Sequence, residues 1–185
     1  MSLHRLLRVI GAVVGAIGVA MLAPALVALI YRETGDAWQI GLAAVATMVA
    51  GGWAWRYGRS DDTQLTAREG FAIVGLSWIT LTFFGTLPYL FTGEITSFTD
   101  AFFETAAGFS TTGASIVPDP GELNRGILFW RALTQWIGGM GIIVLSVAIL
   151  PLLGVGGVEL ARAESPGPTP DRLTPRFRET AKRLW

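Results

Sequence analysis

The 185-residue sequence contains no cysteine and a single histidine, His4. Without cysteine, the chain has no disulfides, thiol nucleophiles or thiolate metal sites. Charged residues are also scarce, at 15% of the chain against roughly 25% in a typical soluble domain. The fourteen basic and fourteen acidic residues cancel, so no excess of positive charge points to a nucleic-acid partner. These absences disfavour most enzyme chemistry and nucleic-acid binding.

Apolar residues, by contrast, make up 51% of the chain and fall in long blocks. Four blocks have the roughly 18 or more residues that cross a hydrocarbon core about 30 Å thick. They occupy residues 6–30, 38–55, 70–91 and 127–153. The first is too long for the core of a signal peptide, so a retained helix is expected. The pattern predicts an all-α integral membrane protein.

Between the third and fourth blocks lies a segment too short to cross the membrane. Ser97 and Asp100 are typical of a helix cap and predict a helix over Phe98–Phe109, about 18 Å or roughly half a bilayer. The polar residues 110–115 (STTGAS) follow. Non-helical backbone at membrane depth occurs only where protein buries it or water reaches it. The segment is a candidate re-entrant pore loop, and a Ser/Thr/Gly-rich turn between helices is the alternative.

This loop carries residue types that suit a potassium filter. Backbone carbonyls can replace the water around the ion without a fixed counter-charge that would trap it. Gly permits backbone conformations that a side chain forbids, and the preceding helix directs the negative end of its dipole toward the loop. Thr111, Thr112 and Gly113 meet these requirements.

The distribution of basic residues predicts the orientation in the membrane. Most of them precede the first block, separate the second and third, or follow the fourth. They are Arg5, Arg8, Arg56, Arg59, Arg68, Arg162, Arg172, Arg176, Arg178, Lys182 and Arg183. If four helices alternate, all of these lie on one side, and the positive-inside rule makes that side cytoplasmic. Both termini are therefore expected in the cytoplasm.

The opposite side carries acidic residues. Residues 92–124 contain no Lys or Arg, and their acidic members are Glu94, Asp100, Glu104, Asp119 and Glu122. An acidic rim above the loop would concentrate cations and repel anions. A solvated acidic loop without such a role is the alternative.

Three glycines, Gly138, Gly139 and Gly141, lie inside the fourth block. Small residues let helices pack closely in a membrane, and they also allow a pore-lining helix to bend. Both interpretations stay open, and the second makes these glycines a possible hinge. Arg131 is expected to snorkel or to form a pair near the outer interface.

A short internal repeat suggests a duplicated unit. Leu65-Thr66-Ala67-Arg68 before the third block returns as Leu173-Thr174-Pro175-Arg176 near the end of the sequence. Recurrence at the spacing of one span–loop–span unit is what an internal duplication requires. We expect the sequence to be a fragment or truncated product that stops as a second unit begins.

Three stretches resemble the TrkH-type membrane subunits of the Trk potassium uptake systems, in the TrkH/Ktr superfamily. The stretches are residues 102–114 (FFETAAGFSTTGA), 129–141 (FWRALTQWIGGMG), and 152–157 (LLGVGG) with 162–168 (RAESPGP). The last of them favours the Trk type over the Ktr type. The resemblance implies a potassium-channel-like fold, in which four helix–pore loop–helix units surround one ion path and follow an extra helix pair.

The resemblance also implies a division of the chain and a set of site residues. Residues 1–60 would be the extra helix pair, 61–158 the first pore unit, and 159–185 a cytoplasmic linker with the start of a second, truncated unit. The first filter segment, with its carbonyls facing the ion, falls on Ser110, Thr111, Thr112 and Gly113. One such segment would form one quarter of the selectivity filter.

For function, the resemblance implies potassium uptake across the bacterial inner membrane rather than enzyme activity, with potassium as the transported substrate and no cofactor in this chain. It also implies a homodimer of full-length subunits and a cytosolic nucleotide-binding regulator of the TrkA type. Channel-like flow and proton- or sodium-coupled symport both stay open. A non-conducting fragment acting only as a scaffold or assembly partner is the alternative function. An intramembrane serine protease built on Ser110 is disfavoured, because no membrane-embedded His or Lys could activate the hydroxyl.

Overall fold

The computed structural model describes residues 3–58 and 67–149. Within these ranges the chain is helical and has no strand, which confirms the predicted all-α class. The helices are α1 (Leu3–Ala20), α2 (Leu22–Ile30), α3 (Thr34–Tyr57), α4 (Ala67–Gly85), α5 (Leu87–Thr92), α6 (Phe98–Phe109) and α7 (Arg125–Ile149), with a 3-10 turn at Pro120–Glu122.

The chain divides into two compact units, Met1–Gly138 and Gly139–Trp185. The first contains α1 to α6 and the start of α7, and the described part of the second is the remainder of α7 up to Ile149. The predicted domain boundaries at residues 60 and 158 lie outside the described residues, as does the repeat near the C-terminus. That division of the chain stays a prediction.

Three stretches of the described residues are long and apolar enough to cross a membrane, namely Leu6–Ile30, Thr34–Tyr57 and Gly70–Thr92. They coincide with the first three predicted spans. The fourth predicted span runs to residue 153, past the last described residue, and its described part is helical. Trp38 and Trp55, near the two ends of α3, are exposed, as expected of aromatic side chains at a membrane interface.

The first and third spans are each built from two helices, because each contains a proline. Pro24 and Pro88 have no N–H for the helix ladder, and a proline ring collides with the carbonyl four residues earlier. The breaks fall at Met21, between α1 and α2, and at Thr86, between α4 and α5. The buried Thr86 hydroxyl donates to the carbonyl of Phe83 at 2.6 Å. A local side-chain bond thus occupies a carbonyl at the second break.

Helices α1 and α3 pack with their backbones in contact. A methyl group added at Gly11 would lie 2.7 Å from the carbonyl oxygen of Gly51, and one added at Gly51 would collide with the backbone of Gly15. At Gly18 the same methyl would lie 2.7 Å from the side chain of Met48. Small residues make such approach possible in a membrane, where helix association depends on van der Waals packing.

The turn between α2 and α3 holds the start of α7. The Glu33 carboxylate accepts hydrogen bonds from the backbone N–H groups of Arg125 and Gly126, at 2.9 and 3.2 Å. Asn124 donates through Nδ2 to Asp36 at 2.5 Å. A carboxylate at a helix N-terminus satisfies N–H groups that lack an intrahelical partner and interacts favourably with the helix dipole. The first helices therefore fix the position at which α7 begins.

Candidate functional site

Helix α6, which precedes the polar loop, has the bounds that the sequence predicted. It begins after Ser97, whose side-chain oxygen accepts a hydrogen bond from the Asp100 backbone N–H at 3.4 Å. It ends at Phe109, so its twelve residues span about 18 Å at 1.5 Å per residue. This length is roughly half of a hydrocarbon core.

The carboxyl end of α6 closes in a Schellman-type turn. The Thr112 N–H donates to the Ala107 carbonyl at 3.1 Å, and the Thr111 N–H donates to the Gly108 carbonyl at 3.0 Å. This places Thr111, with φ of 55°, at the left-handed position that glycine usually occupies. Such a φ is rare for a β-branched residue and costs on the order of 1–3 kcal/mol. Gly113, two residues later, has φ of 75°.

The loop after this turn is exposed, whereas residues 107–109 are buried. No backbone N–H group of the described residues donates to the carbonyl oxygens of residues 110–113. The hydroxyls of Ser110 and Thr112 lie 2.7 Å apart, and a methyl group added at Gly113 would meet nothing within 4 Å. The carbonyls are therefore available to a ligand at the electronegative end of α6.

Phe109 anchors the end of α6. Its ring is 1% exposed and makes edge contacts with Trp78 and Trp130, at centroid separations of 6.4 and 6.5 Å. The Trp130 indole N–H donates in turn to the buried carbonyl of Gly85 at 3.0 Å. Aromatic pairs in this geometry add stability beyond their buried area. The residue before the polar loop is thus fixed by α4 and α7 together.

Two close contacts join the end of α6 to α7. A methyl group added at Gly138 would collide with the carbonyl of Phe109, and one added at Gly108 would collide with the hydroxyl of Thr134. Helix α7 runs unbroken through Gly138, Gly139 and Gly141. Gly138 therefore has the close-packing role that small residues have in membranes. The proposed hinge at the three glycines stays a prediction.

Glu104 does not belong to the acidic rim in which the sequence placed it. Its side chain is 1% exposed and its Oε1 lies 2.5 Å from Nε of Arg131. The carboxylate also accepts hydrogen bonds from the Ser115 hydroxyl and the Ile116 N–H, each at 3.1 Å. The expectation that Arg131 forms a pair agrees with this contact. A rim built from all five acidic residues is wrong, because a buried carboxylate requires partners inside the protein.

The other acidic residues of this segment have varied surroundings. Asp119 is exposed, but its side chain accepts a hydrogen bond from the Gly121 N–H at 2.8 Å and caps the 3-10 turn. Asp100 and Glu122 are exposed and Glu94 is half-buried. Among the described residues there is no group of three or more His, Cys, Asp or Glu side chains that could hold a metal ion. Any cation bound by the loop would depend on its backbone and hydroxyl oxygens.

Helical spacing could have revealed the role of Glu104. The buried positions Ala101, Glu104, Thr105 and Gly108 follow the i, i+3, i+4, i+7 pattern of a helix face that packs against the protein. A carboxylate on that face demands a cation on a neighbouring element, and Arg131 is the basic residue inside the next apolar block.

Comparisons with known proteins match the chain to a family of cation transport proteins. Residues 38–185 match the TrkH family, described as "Cation transport protein". The "Trk system potassium uptake protein TrkH" of Vibrio parahaemolyticus is 46% identical over 191 residues, a match that covers 100% of this chain and 38% of the relative. The protein of the same description from Escherichia coli is 44% identical over 187 residues, with the same coverage.

A solved structure agrees with these sequence matches. It is described as "Crystal Structure of the Potassium Transporter TrkH from Vibrio parahaemolyticus" and superposes with a TM-score of 0.83 at 41% sequence identity. The superposition covers 100% of this chain and 36% of the solved chain. The chain thus spans little more than a third of the length of the curated relatives it matches. The matched family transports cations and is not a family of enzymes.

Proposed function

Because the chain belongs to the TrkH family of cation transport proteins, we propose that it takes part in potassium uptake across a bacterial inner membrane. In this proposal it is part of the ion-translocating subunit of a Trk system. The carbonyls of Ser110, Thr111, Thr112 and Gly113 form one quarter of the selectivity filter. The observation that carries the proposal is the left-handed turn at Thr111, after which the exposed loop oxygens accept no hydrogen bond from a backbone N–H of the described residues.

Electrostatics at the end of α6 favour a monovalent cation at this position. The aligned peptide dipoles place a partial negative charge at the helix C-terminus, and the loop follows it directly. Neutral carbonyl dipoles compensate for lost hydration without binding the ion so strongly that it cannot leave. The buried carboxylate of Glu104 is already paired with Arg131, so it is not a free counter-charge that would trap the ion.

The uneven burial around the loop fits one unit of a larger ring. Phe109 is buried against two tryptophans, whereas residues 110–116 are exposed. One unit supplies about a quarter of the oxygens needed to replace an ion's water shell. The remaining units would come from further polypeptide or from additional copies of this chain.

The finer features of the proposal follow the family resemblance and the charge pattern. We place both termini in the cytoplasm on the basis of the basic residues near the predicted span ends. A homodimer of full-length subunits and a cytosolic TrkA-type regulator complete the proposed system. The glycines 138, 139 and 141 remain the proposed hinge of the pore-lining helix.

Rubidium uptake by a potassium-uptake-deficient bacterium tests the function. The chain is expressed alone and as a chimera in which it replaces the corresponding part of TrkH from Vibrio parahaemolyticus. We expect Gly113→Asp to abolish chimera uptake, because a carboxylate beside the carbonyls would trap the ion. Gly93→Asp is the matched control: Gly93 also has φ of 75° and open space around it, but lies after α5. Equal uptake by the two variants would refute the filter assignment.

A second measurement uses the absence of native cysteine. Any cysteines in the TrkH part of the chimera are first replaced. Ala114→Cys then introduces a single thiol directly after the proposed filter. We expect an impermeant thiol reagent to label it from outside, and potassium to slow the reaction because the ion occupies the adjacent site. Labelling that ignores potassium would contradict the proposal. If the chimera with intact Gly113 assembles in the membrane but never takes up rubidium, the chain is a non-conducting scaffold.

A further inference from the structure

Glu104 joins three separate segments of the chain through one buried carboxylate. It lies on α6, pairs with Arg131 of α7, and accepts hydrogen bonds from Ser115 and Ile116 beyond the polar loop. Both of its oxygens are used, since Ser115 lies 3.1 Å from each. A carboxylate is buried at such cost only where charged and hydrogen-bonding partners compensate for lost hydration.

These contacts fix the far end of the loop whose near end is fixed by the turn at Thr111. Between the two ends, residues 112–114 are exposed, and a methyl group added at Gly113 would touch nothing within 4 Å. The direction of the carbonyls in this stretch therefore depends on how its two ends are held. The Ser115 hydroxyl also accepts a hydrogen bond from the Val117 N–H at 3.1 Å, which fixes the segment as it leaves the loop.

We infer that Glu104 is a positioning residue for the ion path, acting through Ser115 and Ile116 to hold the loop carbonyls at the spacing that selects potassium. This inference rests on the proposed function. Arg131 pairs with the carboxylate, so that Glu104 orients the loop without binding the cation itself. The pair therefore differs from a contact that only stabilises the fold, because its loss should change which ion the path prefers.

The test compares Glu104→Gln and Ser115→Ala in the chimera described above. Glu104→Gln removes the charge and keeps the shape, whereas Ser115→Ala removes one link to the loop and leaves the Arg131 pair intact. Thr105→Val is the matched control, because Thr105 is also fully buried on α6 but, among the described residues, its hydroxyl donates only to the Ala101 carbonyl in its own helix. The readout is the half-saturating concentration for sodium uptake divided by that for rubidium uptake. Uptake rates are normalised to the amount of protein in the membrane.

We expect Glu104→Gln to lower this ratio about tenfold, which corresponds to a tenfold loss of preference for rubidium over sodium. Ser115→Ala should lower the ratio less. Thr105→Val should leave it unchanged. Potassium protection of the thiol at Ala114→Cys should weaken in the Glu104→Gln background. If Glu104→Gln only reduces the amount of protein in the membrane, and the remaining molecules keep the original ratio and protection, the inference is overturned.

The two proposals fail in different ways. If the unsubstituted chimera shows uptake that Gly113→Asp abolishes, the filter assignment stands, and an unchanged ratio in Glu104→Gln overturns the positioning role alone. If uptake is insensitive to Gly113→Asp and potassium gives no protection, the filter assignment fails and the positioning role falls with it.

Discussion

Replacing Gly138 by alanine separates two roles for this residue, because they predict effects of opposite sign. If Gly138 serves only to let α7 bend, alanine raises helix propensity and stabilises the protein by about 1 kcal/mol. If it serves close packing, the added methyl collides with the Phe109 carbonyl. Overpacking costs about 1–3 kcal/mol. We expect a cost near the upper end of this range, because the obstructing atoms belong to the backbone and the Phe109 ring is held by Trp78 and Trp130.

The melting temperature of the purified chain in detergent measures this difference. A loss of about 3 kcal/mol lowers the melting temperature of a chain of this size by roughly 6–12 °C. Gly41→Ala is the control, because Gly41 lies within α3 and a methyl group there would meet nothing within 4 Å. We expect this control to melt at or above the temperature of the unsubstituted chain.

A Gly138→Ala variant that melts as high as Gly41→Ala would refute the packing argument. It would mean that α6 and α7 can separate far enough to admit a methyl group without loss of stability, and the hinge would then be the better account of Gly138. A lower melting temperature with unchanged rubidium uptake would keep the packing role. It would also show that the start of the polar loop tolerates a displaced Phe109.

Two other contacts give predictions for the same assay. Trp130→Phe removes the donor to the buried Gly85 carbonyl and should cost about 1–3 kcal/mol, whereas Trp38→Phe on the exposed face of α3 should melt like the unsubstituted chain. Glu33→Gln weakens the carboxylate cap at the start of α7 and should cost about 0.3–1 kcal/mol at low salt. That loss should shrink as salt rises, and an equal loss from Glu94→Gln would show that it does not come from the cap.

Local signals explain why α6 could be predicted residue by residue. Ser97 caps its first turn, and the small polar residues after Phe109 end it, so both bounds follow from neighbouring sequence. The positions of the breaks at Met21 and Thr86 also follow from local chemistry, since each lies just before a proline. Such features depend on contacts within one or two turns.

The features that sequence reasoning missed depend on contacts between distant residues. Glu104 and Arg131 are 27 positions apart, and acidic composition alone assigned Glu104 to the acidic rim above the loop. The left-handed Thr111 was also missed, because glycine is the residue expected at that position and only the surrounding packing can hold a threonine there. The packing role of Gly138 was one of two open interpretations until the position of the Phe109 carbonyl was known.

The hydrogen bonds from the start of α7 to Glu33 indicate an order in which the helices assemble. The glycine contacts of α1 with α3 join neighbouring parts of the chain, so this hairpin can close while the ribosome is still extending the polypeptide. Arg125, the partner of Glu33, is synthesised 92 residues later. The finished hairpin therefore offers the Glu33 carboxylate as a ready cap for the N-terminus of α7 when that helix forms.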